Sequence, residues 1–179
     1  VIDFITIAST GNAIDFGDTI GQNQQQGGTQ SPTRGLLFGG SPRNDETIEF
    51  FTISTKGNTS NFGSLIDLGE SLMGCCLSSP VRAIAAGGAN PGVKQSIEYV
   101  TIATTGKGTE FGDMTTSRDQ HYSNSDSIRG VFSGGQNPST LDSMEYIQIM
   151  SEGNGVDFGD LTSAKKNGFD AMSTSHGGL

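Results

Sequence analysis

Four stretches of this chain repeat one another in register, and that periodicity limits the fold more than any other property. The first marker is an apolar run carrying one acid: Ile2-Asp3-Phe4-Ile5-Thr6-Ile7, Ile48-Glu49-Phe50-Phe51-Thr52-Ile53, Ile97-Glu98-Tyr99-Val100-Thr101-Ile102 and Met144-Glu145-Tyr146-Ile147-Gln148-Ile149. Its copies are spaced by 46, 49 and 47 residues. The second marker follows a turn region: Asp15-Phe16-Gly17-Asp18, Asn61-Phe62-Gly63-Ser64, Glu110-Phe111-Gly112-Asp113 and Asp157-Phe158-Gly159-Asp160. The third is an apolar run opened by arginine and closed by two glycines. It spans Arg34 to Gly39-Gly40, Arg82 to Gly87-Gly88 and Arg129 to Gly134-Gly135, and the fourth copy stops at His176-Gly177-Gly178-Leu179. Written from the first marker, the units run 1–47, 48–96, 97–143 and 144–179, the last incomplete. A fixed period of this size marks a repeat architecture, in which each unit is one small supersecondary element.

Each marker has the composition of a strand. Ile97 to Ile102 is β-branched and aromatic, suited to a pleated, half-buried surface. Thr104-Thr105-Gly106-Lys107-Gly108 reads as a turn, because glycine reaches the positive φ of tight turns without steric cost. A short strand is expected around Phe111, another around Tyr122, and the most apolar one over Ile128 to Ser133. No helical period is present. The reading is therefore all-β, with about four short strands per unit of about 47 residues, which is the size of a β-propeller blade.

Composition agrees and removes whole classes of function. Of 179 residues 27 are glycine and 39 are serine or threonine, and tryptophan is absent, which disfavours a helical bundle. The formal charge of −9 comes without any basic run. Phosphate backbones and anionic lipid both demand clustered cations, so neither nucleic acid nor membrane insertion is expected. There is no apolar run near the length of a membrane-crossing helix. The cysteines are the adjacent pair Cys75 and Cys76, read as small semi-buried strand residues because neighbours in sequence rarely bridge each other.

The order of markers resembles a kelch repeat. Val131-Phe132-Ser133-Gly134-Gly135 matches the apolar strand that ends in a glycine pair, and Met144-Glu145-Tyr146 the strand carrying an aromatic. Phe111, Met114 and Arg118 keep the spacing from aromatic to arginine, with phenylalanine standing where that family usually has tryptophan. Ile2 to Asp18 and Ile97 to Thr115 are also similar to repeat proteins of marine tailed phages, cyanophages among them. The resemblance implies a kelch-like β-propeller of four-stranded blades, part of a virion or tail fibre, located on the virion or otherwise extracellular. Its implied partners are other copies of itself or other virion proteins. It carries no catalytic residue, metal or cofactor.

The glycine pairs Gly39-Gly40, Gly87-Gly88 and Gly134-Gly135 read as points of close backbone approach and sharp exit. A phosphate-cradling loop would need a helix after it, and no helical pattern follows. Asp3, Glu49, Glu98 and Glu145 recur at one position, and Arg34, Arg82 and Arg129, with His176, at another. One of each per unit suggests a repeated buried ion pair; the competing reading is a ring of acids holding a cation. Phe16, Phe62, Phe111 and Phe158 are expected to pack blade against blade. Enzymatic readings find little support. His121 and His176 lie in different repeats, no Gly-x-Ser-x-Gly elbow occurs, and no calcium-loop pattern occurs.

The units differ in the connectors Gly21 to Gln30, Ser41 to Thr47, Ala89 to Ser96 and Gln136 to Ser143. Gln22, Asn23, Gln24, Arg43, Asn44, Asn90, Gln136 and Asn137 supply amides and one guanidinium on these segments. Such groups on a rigid scaffold suit hydrogen bonding to a cell-surface glycan or a protein neighbour. The expected function is a non-enzymatic structural or adhesive propeller, with a stand-alone carbohydrate-binding or scaffold propeller of a cellular organism as the alternative. The chain opens at Val1 without methionine and stops inside a unit, so the reading favours a stretch of a longer repeat protein. A four-blade ring closed beside the Ile2 strand, and several chains sharing one ring, are the other two arrangements.

Overall fold

The computed structural model describes residues 1–41, 46–68, 75–89 and 92–167. Every regular element among them is a β-strand. The first sheet pairs β1 (Ile2–Phe4) with β2 (Ile14–Gly17). The second contains β3 (Gly27–Gln30), β4 (Arg34–Phe38), β5 (Thr47–Thr52) and β6 (Ser60–Ser64). The third contains β7 (Cys76–Ser78), β8 (Arg82–Ala86), β9 (Ser96–Thr101) and β10 (Thr109–Asp113). The fourth contains β11 (Tyr122–Ser125), β12 (Arg129–Ser133), β13 (Ser143–Gln148) and β14 (Val156–Asp160). Each four-stranded sheet is an antiparallel meander in chain order. Each draws its first two strands mainly from one sequence unit and its last two from the next, so the spatial unit is shifted by half a repeat.

The sheets pack face to face, and alternation along β8 shows how one sheet serves two interfaces. Ala83 and Ala85 join Leu36, Phe38, Ile48 and Phe62 in the core between the second and third sheets. Ile84 and Ala86 point the other way, to Phe111, Phe132 and Ile147 between the third and fourth. Both faces are buried, so β8 reads as an unbroken apolar run. First strands of successive sheets meet at a seam of hydroxyls. Thr29 Oγ1 donates to Ser78 Oγ (2.7 Å), Ser78 Oγ to the Gln30 carbonyl (2.7 Å), and Ser125 Oγ to the Ser78 carbonyl (2.8 Å).

Neighbouring sheets are also stitched at their outer strands by one joint used three times. A β-bulge interrupts the register at Phe16, Phe62 and Phe111. Bulges leave a residue out of the ladder and re-aim it, and here the phenylalanine carbonyl turns to the next sheet. The Gly57 N–H donates to the Phe16 carbonyl, Gly106 to Phe62 and Gly153 to Phe111, each at 2.8 Å. Thr59, Gly108 and Gly155 N–H groups donate to the Asp18, Ser64 and Asp113 carbonyls at 2.9, 2.7 and 2.8 Å. The approach is so close that a Cβ on Gly17, Gly63 or Gly112 would overlap the carbonyl of Gly57, Gly106 or Gly153. That contact explains the glycine of the Phe-Gly marker. The glycine pairs do related work. Gly87 and Gly134 donate to Ser96 and Ser143 carbonyls (both 3.0 Å), and Gly88 and Gly135 reach the next unit at Arg118 and Lys165 carbonyls (3.0 and 2.7 Å). Gly39 donates to Thr47 (3.0 Å), and Gly40 lies against Gln24 and Gln26.

Two expectations need correction. The recurring acids and recurring arginines do not pair with each other. Glu49, Glu98 and Glu145 are buried, and each accepts at least one backbone N–H from the loop that follows the preceding outer strand. Glu49 Oε2 takes Ile20 (3.0 Å), Glu98 Oε2 takes Ile66 (2.6 Å), and Glu145 Oε2 takes Thr115 (2.7 Å). Arg34, Arg82 and Arg129 lie over the rings of Phe50, Tyr99 and Tyr146 at 4.8, 4.2 and 4.9 Å. Arg34 Nη1 and Arg82 Nη1 go on to the carbonyls of Ile102 (2.9 Å) and Ile149 (3.2 Å) in the following sheet. A planar cation stacks on an aromatic face while its edge still donates, and a carboxylate is satisfied by amides as well as by a cation. His176 lies outside the described residues. The phenylalanines also divide: Phe16, Phe62 and Phe111 are buried, whereas Phe158 is 50% exposed.

Candidate functional site

Antiparallel pairing brings particular loops to one end of the sheets. Phe38 pairs with Gly27 and Ile48, and Thr47 with Ser64. The connector before β3, the connector from β4 to β5 and the loop after β6 therefore leave from the same end, and the same holds in the third and fourth sheets. All the amide-bearing candidates belong to such connectors. Gln22, Asn23 and Gln24 come together before β3. Gln24 pairs with Ser41 through two backbone hydrogen bonds of 2.8 Å, which pins this connector to the one leaving β4. Arg43, Asn44 and Asn90 lie outside the described residues.

Gln22 and Asn23 line two adjoining hollows. One, of about 520 Å³, also takes in Asp18, Thr19, Ile20 and Gln26; the other, of about 260 Å³, takes in Gln24 and Ser41. Both are open, the first is mostly polar, and no hydrogen bond holds the side-chain amides of Gln22 or Gln24 among the described residues. Such amides donate and accept at once, which matches a polyol. Gln136 and Asn137 occupy the corresponding connector of the fourth sheet, but their side chains are engaged. Gln136 Oε1 accepts from Lys166 Nζ (2.8 Å), and Asn137 Nδ2 donates to the Ser117 carbonyl (3.1 Å) and Ser117 Oγ (2.6 Å). They shape the connector. Asp18 and Thr19 were missed in the sequence; their adjacency to the glutamine-rich run was the available signal.

Beneath the fourth sheet's connectors lies a buried polar cluster. Arg118 and Glu145 form an ion pair of 2.7 Å with both side chains essentially without exposure. Arg118 also donates to the carbonyls of Gly134 (2.9 Å) and Ser143 (3.0 Å). Next to it, His121 Nδ1 lies 3.5 Å from Cys75 Sγ. This contact has the residues of a nucleophile and base but not their electrostatics. Burial pushes the Cys75 thiol up to about 12. Burial, with the Arg118 charge second, pushes the His121 imidazole down to about 3. Both groups are neutral at ordinary pH, and an activated thiolate needs the reverse. Cys75 and Cys76 are both buried, and neither forms a disulfide. Among the described residues no three histidine, cysteine or carboxylate side chains gather as a metal-holding group.

One backbone feature recurs here without a sequence signature strong enough to read. Gln25, Gln120 and Asn167 all have positive φ, at 60°, 54° and 62°. Each carries a side-chain amide and stands at the same repeat position; Gln25 and Gln120 come just before the seam strands β3 and β11.

A scan of the chain against known protein families finds no match, and a comparison with curated proteins finds none either.

Proposed function

We propose that this chain is a non-enzymatic structural or adhesive protein, a kelch-like β-propeller segment that presents variable polar connectors on one end of stacked blades. Its reading as a virion or tail-fibre component rests on the resemblance of the repeated markers, and its recognition of a host-surface glycan on the connectors themselves. The observation that carries the reading is the open Gln22, Asn23 and Gln24 connector. Its unengaged amides line two open hollows on a scaffold fixed by repeated backbone joints. Rigid frames with adaptable polar loops are a recurrent solution to recognition. The partners proposed are other copies of the chain or other virion proteins, and a glycan.

Binding of the chain to an array of surface glycans tests the recognition. Saturable binding is expected, and Gln22→Ala with Gln24→Ala should weaken it at least tenfold while the circular dichroism stays unchanged. Binding indifferent to both substitutions, or none to any glycan, would leave the connectors as plain surface. Antibody labelling of purified particles tests the virion assignment separately.

A further inference from the structure

The connectors occupy one end of the sheets. The hairpins that join the third strand of a sheet to its fourth occupy the other, and two of them bound hollows. The β9–β10 hairpin encloses one of about 340 Å³, with Phe62 of the second sheet at its side. The β5–β6 hairpin encloses another of about 250 Å³. Both share one frame. The Thr104 N–H closes a turn on the Thr101 carbonyl, and the Thr55 N–H closes the same turn on Thr52, each at 3.1 Å. The glycine that follows fastens the hairpin to the sheet before it, Gly106 to the Phe62 carbonyl and Gly57 to the Phe16 carbonyl, each at 2.8 Å. Backbone bonds therefore set the shape of both hollows, and their side chains are left for other work.

Hydroxyls and one ammonium line each hollow. Thr101, Thr104, Thr105 and Thr109 stand around the first with Lys107. Thr52, Thr55 and Ser60 stand around the second with Lys56. Neither lining includes a carboxylate, although the chain has 19 acidic residues against 10 lysines and arginines. Lys107 forms no ion pair among the described residues. Lys56 lies over the Phe4 ring at 4.7 Å, a contact that still leaves N–H donors for a ligand. A second cation stands by the first hollow. Arg34 Nη1 donates to the Ile102 carbonyl of the same hairpin (2.9 Å), and Arg34 has no ion pair among the described residues. The fourth sheet provides a contrast within the chain. Its hairpin keeps the turn, with the Ser151 N–H on the Gln148 carbonyl at 3.0 Å, but carries Glu152 and Asn154 in place of Thr105 and Lys107.

We infer that the Lys107 hollow, and its repeat at Lys56, bind an oxyanion: a sulfate or phosphate group, free or as an ester on a polysaccharide. Threonine hydroxyls donate to anionic oxygens through charge-assisted bonds, and the ammonium adds a point charge. A carboxylate in the lining would repel such a guest, and there is none. The overall negative charge does not forbid it, because charges beyond about 8 Å are screened at physiological ionic strength. The two hollows lie on adjacent sheets. A polymer with repeated esters therefore engages both and gains by the linkage, whereas a free ion fills each alone. The hollows face away from Gln22 and Gln24, so the inference does not depend on recognition by the connectors.

Backbone amide NMR shifts of the isotope-labelled chain, followed as sodium sulfate or sodium phosphate replaces sodium chloride at matched ionic strength, test it. Both oxyanions should move the Thr105, Gly106 and Lys107 amides saturably, while Gly153 on the acid-bearing hairpin stays still. Lys107→Gln should weaken sulfate binding about threefold or more, the scale of an exposed ion pair, and Thr104→Val should weaken it as well. Both side chains are exposed, and circular dichroism verifies that each variant is folded. Dextran sulfate, with neutral dextran as control, separates the sources. Binding about tenfold or more tighter than inorganic sulfate, and lost in part with Lys56→Gln, assigns a polymeric ester; affinity equal to that of the free ion assigns the free ion. No saturable response beyond chloride, a response that Lys107→Gln leaves unchanged, or an equal response at Gly153 would each overturn the inference. Substituting Gln22 and Gln24 should leave these shifts in place, so the two recognition readings fail separately.

Discussion

Arg118 shows how a single residue can be fixed by its surroundings from every side. Its guanidinium is buried, paired with Glu145 at 2.7 Å, and donates to two carbonyls and to Ser143 Oγ. Removing one partner of a buried pair strands the other charge, so Arg118→Met is expected to cost about 3–5 kcal/mol in urea unfolding. Arg118→Lys should recover little, since one ammonium cannot span the carboxylate and the carbonyls together. His121 contributes through its proton. The unfolded imidazole takes one near pH 6.5, whereas the folded one does so only near 3. Its contribution is therefore complete above pH 6.5 and is lost as pH falls toward 3, with a slope approaching about 1.4 kcal/mol per pH unit. Glu98 acts the opposite way: burial raises its carboxyl, so proton uptake favours the fold as pH falls. Comparing the wild type with His121→Gln isolates the histidine. The variant should show a pH slope of stability smaller by one proton between pH 6.5 and 4, and an identical slope would refute the assignment. Sequence reading named Arg118 from a spacing and gave Cys75 and His121 no link, because their 46-residue separation carries no pattern in one dimension.

At the scale of strands and turns, glycine at the Phe-Gly marker is a tolerance for a neighbour's backbone. Gly63→Ala places a methyl group on the Gly106 carbonyl. Backbone cannot step aside as a side-chain tip can, so the expected loss is about 1–3 kcal/mol, in the range of an overpacked core. Gly159→Ala meets no such neighbour among the described residues and should cost clearly less; thermal melts of the two variants decide it. Strand identity was legible because β-branched and aromatic runs, acid markers and glycine turns agree locally. The strands expected at Tyr122 and over Ile128 to Ser133 appear as β11 and β12. The phase of the sheets was not legible, since a repeat has no intrinsic first strand. The charge pairing was misread for a related reason: periodicity shows that an acid and a base recur, but not which sheet each side chain enters. Backbone amides, which help to hold the acids here, leave no trace in composition.

For the molecule as a whole, stability should be graded along the chain, because among the described residues the apolar cores lie between neighbouring sheets. The first sheet has two strands and an exposed Ile7, while the third is covered on both faces. In hydrogen exchange of the dilute chain, the amides of Gly106 and Gly153 are expected to be slow and that of Gly11 fast. Equal protection at all three would mean that the first sheet is held as firmly as the rest. The blade-like all-β architecture was legible because three markers repeated in register leave few alternatives. The proposed recognition surface was legible only as a list of variable polar residues; the fold separates the open Gln22 and Gln24 from Gln136 and Asn137, whose amides bond to Lys166 and Ser117. The bridges that close the connector bases, Gln24 with Ser41 and Asp119 with Gln136, have a further effect. A clamped base holds the adjoining strand ends together whatever the length of chain beyond it. Loop entropy rises only about 0.6 kcal/mol for each doubling of length, so these segments can be lengthened, shuffled or grafted with foreign peptide while the frame stays still. Diversification is thereby uncoupled from refolding, and successive generations can rewrite what the surface displays without rewriting what holds it up.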